Sequence, residues 1–254
     1  MAVGLVDSDS MRRAVWAERL SAWGFPIAWE AATAAEARVA QARHPPSALL
    51  VAFELLDGSG AALLAAAIRA QPECSGLLLV EVPHPAREAL AWKAGARGCL
   101  WRGQPCERLL AAVRQALAGT SLWTPGAVQQ AQRWWARWGD PWAALSPQQR
   151  AVAWAAAHGL SNKEIARVLG IAPETARTHL ARALARLGRV DRVDLTRWLA
   201  QGGLGPPLRG AAGRGSLAGL PAADRGPDGP WVDGDRPRKV CPPRRGTDKK
   251  RGVG

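Results

Sequence analysis

The strongest constraint on this chain is an alternation that runs through residues 1–118. Short, almost uninterrupted apolar runs at 3–6, 27–29, 48–53, 77–82 and 98–101 are separated by stretches of helical length and period at 11–23, 34–43, 60–70, 86–94 and 107–118. A strand that is apolar at consecutive positions needs cover on both faces. Strands joined through helices run parallel, because the crossover returns the chain to the same edge. Five such repeats predict an α/β domain over residues 1–118, with a five-stranded parallel sheet between helical layers.

From about residue 143 the pattern becomes purely helical, and residues 143–203 are expected to form a separate all-α unit of four helices. Ser146 before Pro147 reads as a helix N-cap followed by proline in the first turn. Ser161, with Glu164 three residues on, forms a capping box that opens a second helix. Gly170 stands where that helix must stop, and Pro173 opens the next. On this third helix Ala176, Leu180, Ala183, Leu184 and Leu187 fall on one face and are expected to be buried. Arg177, Thr178, Ala181, Arg182 and Arg186 fall on the other. Two short helices, a tight turn and an arginine-bearing outer face are the geometry needed to set a helix into a DNA major groove. A fourth helix is expected over 190–200, with Val193, Leu195, Trp198 and Leu199 as its apolar side.

Charge divides along the same line. Of the formal net charge of +13, almost none lies in residues 1–120. The basic excess is shared between 121–200 and 201–254, so only the back of the chain is suited to a polyanion. Between the two units, residues 119–142 read as a tryptophan-rich linker helix. Thr124-Pro125-Gly126 starts it, it carries Trp134, Trp135 and Trp138, and Gly139-Asp140-Pro141 is expected to end it. The tryptophans are expected to pack inside one chain; pairing with a second chain is the alternative. Residues 204–254 are rich in Gly, Pro and Arg without an apolar period, and are expected to be a disordered basic tail whose clusters at 236–239 and 249–251 add weak, sequence-independent DNA affinity.

Composition excludes several classes. The four cysteines, Cys74, Cys99, Cys106 and Cys241, form no CxxC pair and have no histidine at ligand spacing, which argues against zinc, and Cys99 reads as a small buried hydrophobe. Asp7 and Asp9 interrupt the N-terminus before any long apolar run, so no signal peptide is expected there, and no apolar stretch is long enough for a membrane span. The expectation is a cytoplasmic protein without a cofactor, not an enzyme.

The back unit resembles the LuxR-type helix-turn-helix of NarL/FixJ-type regulators. The resemblance rests on Leu145-Ser146-Pro147, Val152, Gly159-Leu160-Ser161-Asn162-Lys163-Glu164-Ile165-Ala166, Leu169-Gly170-Ile171, Thr175, Thr178-His179 and Leu187-Gly188. By position it implies that Arg177, Thr178 and Ala181 face base edges, and that Lys163, Arg182 and Arg186 contact phosphates. Two departures stand out: Ala181, where a longer polar residue is frequent, and Ala172, where a Ser or Thr cap is usual. The resemblance further implies double-stranded DNA as partner, a homodimer on inverted half-sites, and contact with RNA polymerase.

The front unit resembles the receiver domain of two-component response regulators, through its β/α order, Leu56-Asp57-Gly58-Ser59-Gly60 and Gly95-Ala96-Arg97-Gly98, and the resemblance implies a flavodoxin-like fold. In that family a carboxylate ending the third strand accepts a phosphoryl group with Mg²⁺ held by nearby acids, and residues ending strands four and five read the new charge. Here the matching positions are altered. The acidic pair is Asp7 and Asp9, separated by Ser8; the acceptor position is Ala52; the strand-four position is Glu81 and the strand-five position is Arg102. A methyl group cannot carry phosphate, so the expected protein is a DNA-binding regulator with a degenerate receiver. Glu81 and Arg102 are either a charge pair imitating the phosphorylated state or two unrelated surface charges. Two rivals stay open: phosphorylation at a non-standard acid such as Glu54 or Asp57 in the loop beyond the strand, and a signalling adaptor that acts through protein contacts of the front domain.

Overall fold

The computed structural model describes residues 2–101 and 103–204. Arg102 and residues 205–254, which are all but the first residue of the tail expected to be disordered over 204–254, lie outside them. Five parallel strands, β1 (Val3–Val6), β2 (Ile27–Ala31), β3 (Ala48–Ala52), β6 (Ser75–Val80) and β7 (Gly98–Trp101), form one sheet in the order β2-β1-β3-β6-β7. Between β3 and β6 stands a small antiparallel hairpin, β4 (Glu54–Leu55) and β5 (Gly58–Ser59), where the sequence predicts only a loop. Two-residue strands are too short to carry a hydrophobic period.

Side chains alternate across the sheet. Leu49 and Val51 of β3 face α2 (Ala34–Arg43), α3 (Gly60–Ala70) and α4 (Pro85–Lys93), packing against Ala37, Leu64, Ala67 and Ala91. Ala48 and Leu50 face the other way, toward Trp16 and Leu20 of α1 (Ser10–Ala22) and Leu109 and Val113 of α5 (Cys106–Leu117). Both faces are therefore apolar, which is why the strands read as continuous apolar runs. Strand β6 ends at Val80, and Val82, expected at its end, is exposed. Cys74 is buried, and desolvation lifts its thiol pKa to about 11. Cys99 is only partly exposed and packs at the edge of the same core; burial, with a smaller push from Glu88, lifts its thiol to about 12.

The linker differs from its sequence reading. Helix α6 (Pro125–Trp134) does not stop at Gly139-Asp140-Pro141. It passes through a π-turn (Trp135–Gly139) into α7 (Asp140–Ala143). Pro141 has no N–H to donate and its ring crowds the preceding turn. The turn ahead of it widens, with the Asp140 N–H reaching the Trp135 carbonyl, and the helix continues. Gly139 makes this possible: a Cβ there would stand 2.1 Å from the Trp135 ring.

This helix joins the two units. Trp135 Nε1 donates to the Ala89 carbonyl of α4 at 2.9 Å, and Trp134 Nε1 donates to Gly202 at 2.9 Å. Gly202 ends the last helix of the back unit, α11 (Arg192–Gly202). The two indoles meet edge to face at 5.4 Å over Ala86 and Ala131. Trp134 and Trp135 thus pack inside one chain.

The back unit is all helical: α8 (Pro147–Ala157), α9 (Asn162–Leu169), α10 (Pro173–Leu187) and α11. Val152, Ile165, Ala176, Leu180, Ala183, Leu195 and Leu199 close its core. Val193 is 65 % exposed, against expectation. It precedes Leu195 by two residues, which on a helix is the opposite face.

Candidate nucleic-acid interface

The position of α10 follows from its neighbours' ends. Ser161 accepts from the Glu164 N–H at 3.3 Å while the Glu164 carboxylate accepts from the Ser161 N–H at 2.7 Å. The Ser161 backbone N–H, and after it the Ser161 side chain, hold the Glu164 pKa below the usual carboxylate range. A matching box, Ser146 with Gln149, opens α8. Helix α9 ends at Gly170 with φ +65°, a left-handed turn that a side chain adopts only at a cost. Chain direction thereby changes within three residues, and α10 emerges against α8 and α9.

On α10 the inner face is Ala176, Leu180, Ala183 and Leu187, all buried, with Leu184 at its margin. Arg177, Thr178, Ala181, Arg182 and Arg186 are exposed, and Lys163 is exposed in the first turn of α9. These six expected contact residues therefore stand at the surface, five on one helix. The Thr178 hydroxyl donates to the Glu174 carbonyl at 3.0 Å. The Arg186 guanidinium reaches back to the Ala144 carbonyl at 3.1 Å and Gln149 Oε1 at 3.3 Å, tying α10 to the end of the linker helix.

Three contacts were not read from the sequence. Arg177 is paired with Glu174: its Nε donates to Glu174 Oε1 at 2.9 Å and its Nη2 donates to the same oxygen. The i,i+3 spacing is a legible signal for that pair. Arg192 of α11 donates to the Leu160 carbonyl and, at 2.9 Å, to Asn162 Oδ1, which pins the turn before α9. Arg150 is buried and donates to the carbonyls of Ala143 and Leu145, at 3.1 and 2.9 Å. No local spacing announces the last two, which are set by tertiary placement.

In the front unit the altered positions gather at the carboxyl ends of the strands. Ala52 ends β3 and is buried at the edge of a cavity of about 90 Å³ that Arg12, Glu54, Glu81 and Arg87 also line. Asp7 is fully buried. Its carboxylate accepts from the Asp9 N–H at 3.0 Å, from Arg12 Nη2 at 3.0 Å and from Arg12 Nε at 3.3 Å. Asp9 caps α1. Arg12 Nη1 lies 3.3 Å from both Asp9 and Glu81, so one guanidinium joins three carboxylates. The hydrogen bond to Asp7, the largest effect, raises the Arg12 pKa. Glu81 therefore meets Arg12; its expected partner Arg102 lies outside the described residues.

This donor set does not fit a divalent cation. Asp7 already carries a guanidinium, Asp9 is turned to a helix end, and the acceptor position offers a methyl group. The two acids weighed as substitute acceptors are also engaged. Glu54 pairs with Arg87, and Asp57 accepts from the Ala34 and Ala35 N–H groups at 2.8 and 2.9 Å, capping α2. They sit in and beside the β4–β5 hairpin, not in a free loop. Among the described residues no helix is long and apolar enough to cross a membrane.

Comparison with known proteins places these observations in context. The sequence profile of bacterial regulatory proteins of the LuxR family matches residues 143–199. A Mycobacterium bovis chain named as an HTH-type transcriptional regulator is 40 % identical over 80 residues, covering 30 % of this chain; the match spans only 9 % of that relative's length. The transcriptional regulatory protein UhpA of Salmonella typhimurium is 35 % identical over 145 residues, covering 52 % of this chain and 70 % of UhpA. Among solved structures, RcsB of Salmonella enterica bound to the promoter rprA aligns with a TM-score of 0.49 at 19 % identity, covering 79 % of this chain and 98 % of that one.

Proposed function

The chain belongs to the NarL/FixJ-type response regulators, whose output unit is a LuxR-type helix-turn-helix, and from that premise we propose that it is a sequence-specific DNA-binding transcriptional regulator that works without aspartyl phosphate. The observation that carries the DNA reading is the outer face of α10, where Arg177, Thr178, Ala181 and Arg182 are all exposed on a helix whose opposite face is core. Arg177 reads guanine through O6 and N7, and Thr178 offers its methyl to thymine. Ala181 is short enough to allow close approach. Lys163, Arg182 and Arg186 meet phosphates, which fix register without reading sequence. Two copies bind inverted half-sites about one helical turn apart, in the cytoplasm, where the chromosome is.

Independence from phosphate is supported by the strand-end site. Phosphoryl transfer needs an oxygen nucleophile and a cation that neutralises developing charge. Here the nucleophile position is Ala52, and the cation is built in as Arg12. On this reading the site gains no phosphoryl charge, and the front domain acts as a fixed platform.

The test is a pair of variants on a selected DNA site. Arg177→Ala is expected to weaken the selected sequence by about 1–3 kcal/mol and to erase preference at one base pair per half-site. Lys163→Ala is expected to weaken all sequences alike and to lower the salt slope by about one. Loss of affinity without loss of preference in Arg177→Ala would refute the assignment of α10.

A further inference from the structure

We propose that Glu174 sets the base specificity of α10, as a positioning residue that holds the Arg177 guanidinium end-on to the base pairs. This rests on the reading of α10 as the base-contacting helix. A guanidinium carries five N–H donors in a rigid planar fork. In Arg177 the Nε and Nη2 groups both donate to Glu174 Oε1. That takes the side fork. The remaining Nη1–H and second Nη2–H form a parallel pair at the tip of the side chain. Guanine presents O6 and N7 as two adjacent acceptors on the same edge, which such an end pair matches.

Among the described residues Arg177 has no other hydrogen-bond or ion-pair partner. The side chains of Arg177 and Glu174 are 69 % and 70 % exposed. In open water such a pair is weak. It strengthens where the groove excludes solvent and the local dielectric falls. Glu174 also lies in the first turn of α10, where a helix N-terminus favours negative charge. A carboxylate on the DNA-facing end of a helix has a second effect: it repels every phosphate, whatever the sequence. Glu174 thus lowers affinity for all DNA and preserves it where Arg177 finds guanine, which is discrimination by penalty as well as by contact.

This gives a signature that loss of structure does not produce. Wild type, Glu174→Ala, Glu174→Gln and Arg177→Ala, each as the full chain, are selected against a randomised double-stranded DNA pool at about 150 mM salt, where unspecific attraction is damped. Glu174→Ala is expected to bind random duplex more tightly while its guanine preference at the Arg177 base pair falls about three- to tenfold, with other positions unchanged. Glu174→Gln, which keeps an acceptor oxygen without the charge, is expected to gain the same unspecific affinity and to keep part of the guanine preference. If Arg177→Ala erases that preference but Glu174→Ala leaves it intact, Glu174 does not position Arg177 and the proposal falls alone. If Glu174→Ala relaxes every position equally, its role is structural and the proposal falls as well. If Arg177→Ala changes no preference, the reading of α10 itself is wrong, and this proposal goes with it.

Discussion

Ala172 stands at the N-cap of α10 with an extended backbone, φ −71° and ψ 147°, and makes no side-chain cap bond. Its neighbours at equivalent positions, Ser146 and Ser161, both do. The backbone at 172 already has cap geometry, so Ala172→Ser is expected to stabilise the back unit by about 1 kcal/mol, read as a higher denaturant midpoint at unchanged slope. An unchanged midpoint would mean that the α10 N-terminus is satisfied in another way. At this scale the sequence was informative where physics is local. The caps at Ser146 and Ser161, the left-handed Gly170 and the alternation of buried and exposed residues on α10 could all be read from spacing. The side chains that act at a distance could not. Nothing in the order of residues says that Arg12 bridges Asp7, Asp9 and Glu81, or that Arg186, on an exposed face, turns back to Ala144. Those contacts depend on which strand ends and helix ends become neighbours.

Among elements, the contrast is between α3, whose ends were legible, and the linker helix, whose end was not. Helix α3 runs from Gly60 to Ala70, as expected. In the linker, Gly139, Asp140 and Pro141 carry every mark of a helix stop, and the helix absorbs them through a π-turn. The physical reason is non-local: continuing the helix buries Trp134, Trp135 and Trp142 against α4 and the back unit, and that burial outweighs one irregular turn. Gly139→Ala tests this. Its Cβ would collide with the Trp135 ring, so the variant is expected to lose about 1–3 kcal/mol and to disturb the Trp135–Ala89 hydrogen bond, visible as a changed near-ultraviolet tryptophan signal. A variant as stable as wild type with the same signal would show that the π-turn is not sterically tied to glycine.

In the whole molecule, a neutral front and a basic back are joined by a helix with indoles hydrogen-bonded to both. The outer face of α10 stays exposed in this arrangement, while the strand-end site has its charges paired internally around Arg12. Both features fit the proposed reading, in which the DNA-reading surface does not wait for a phosphoryl group. The most direct test is binding of the full chain to a randomised DNA pool at about 150 mM salt, with and without acetyl phosphate and Mg²⁺. The same inverted repeat, enriched to the same degree under both conditions, is the predicted result. Enrichment that depends on the phosphodonor would contradict it, and would require an acceptor other than the position Ala52 occupies.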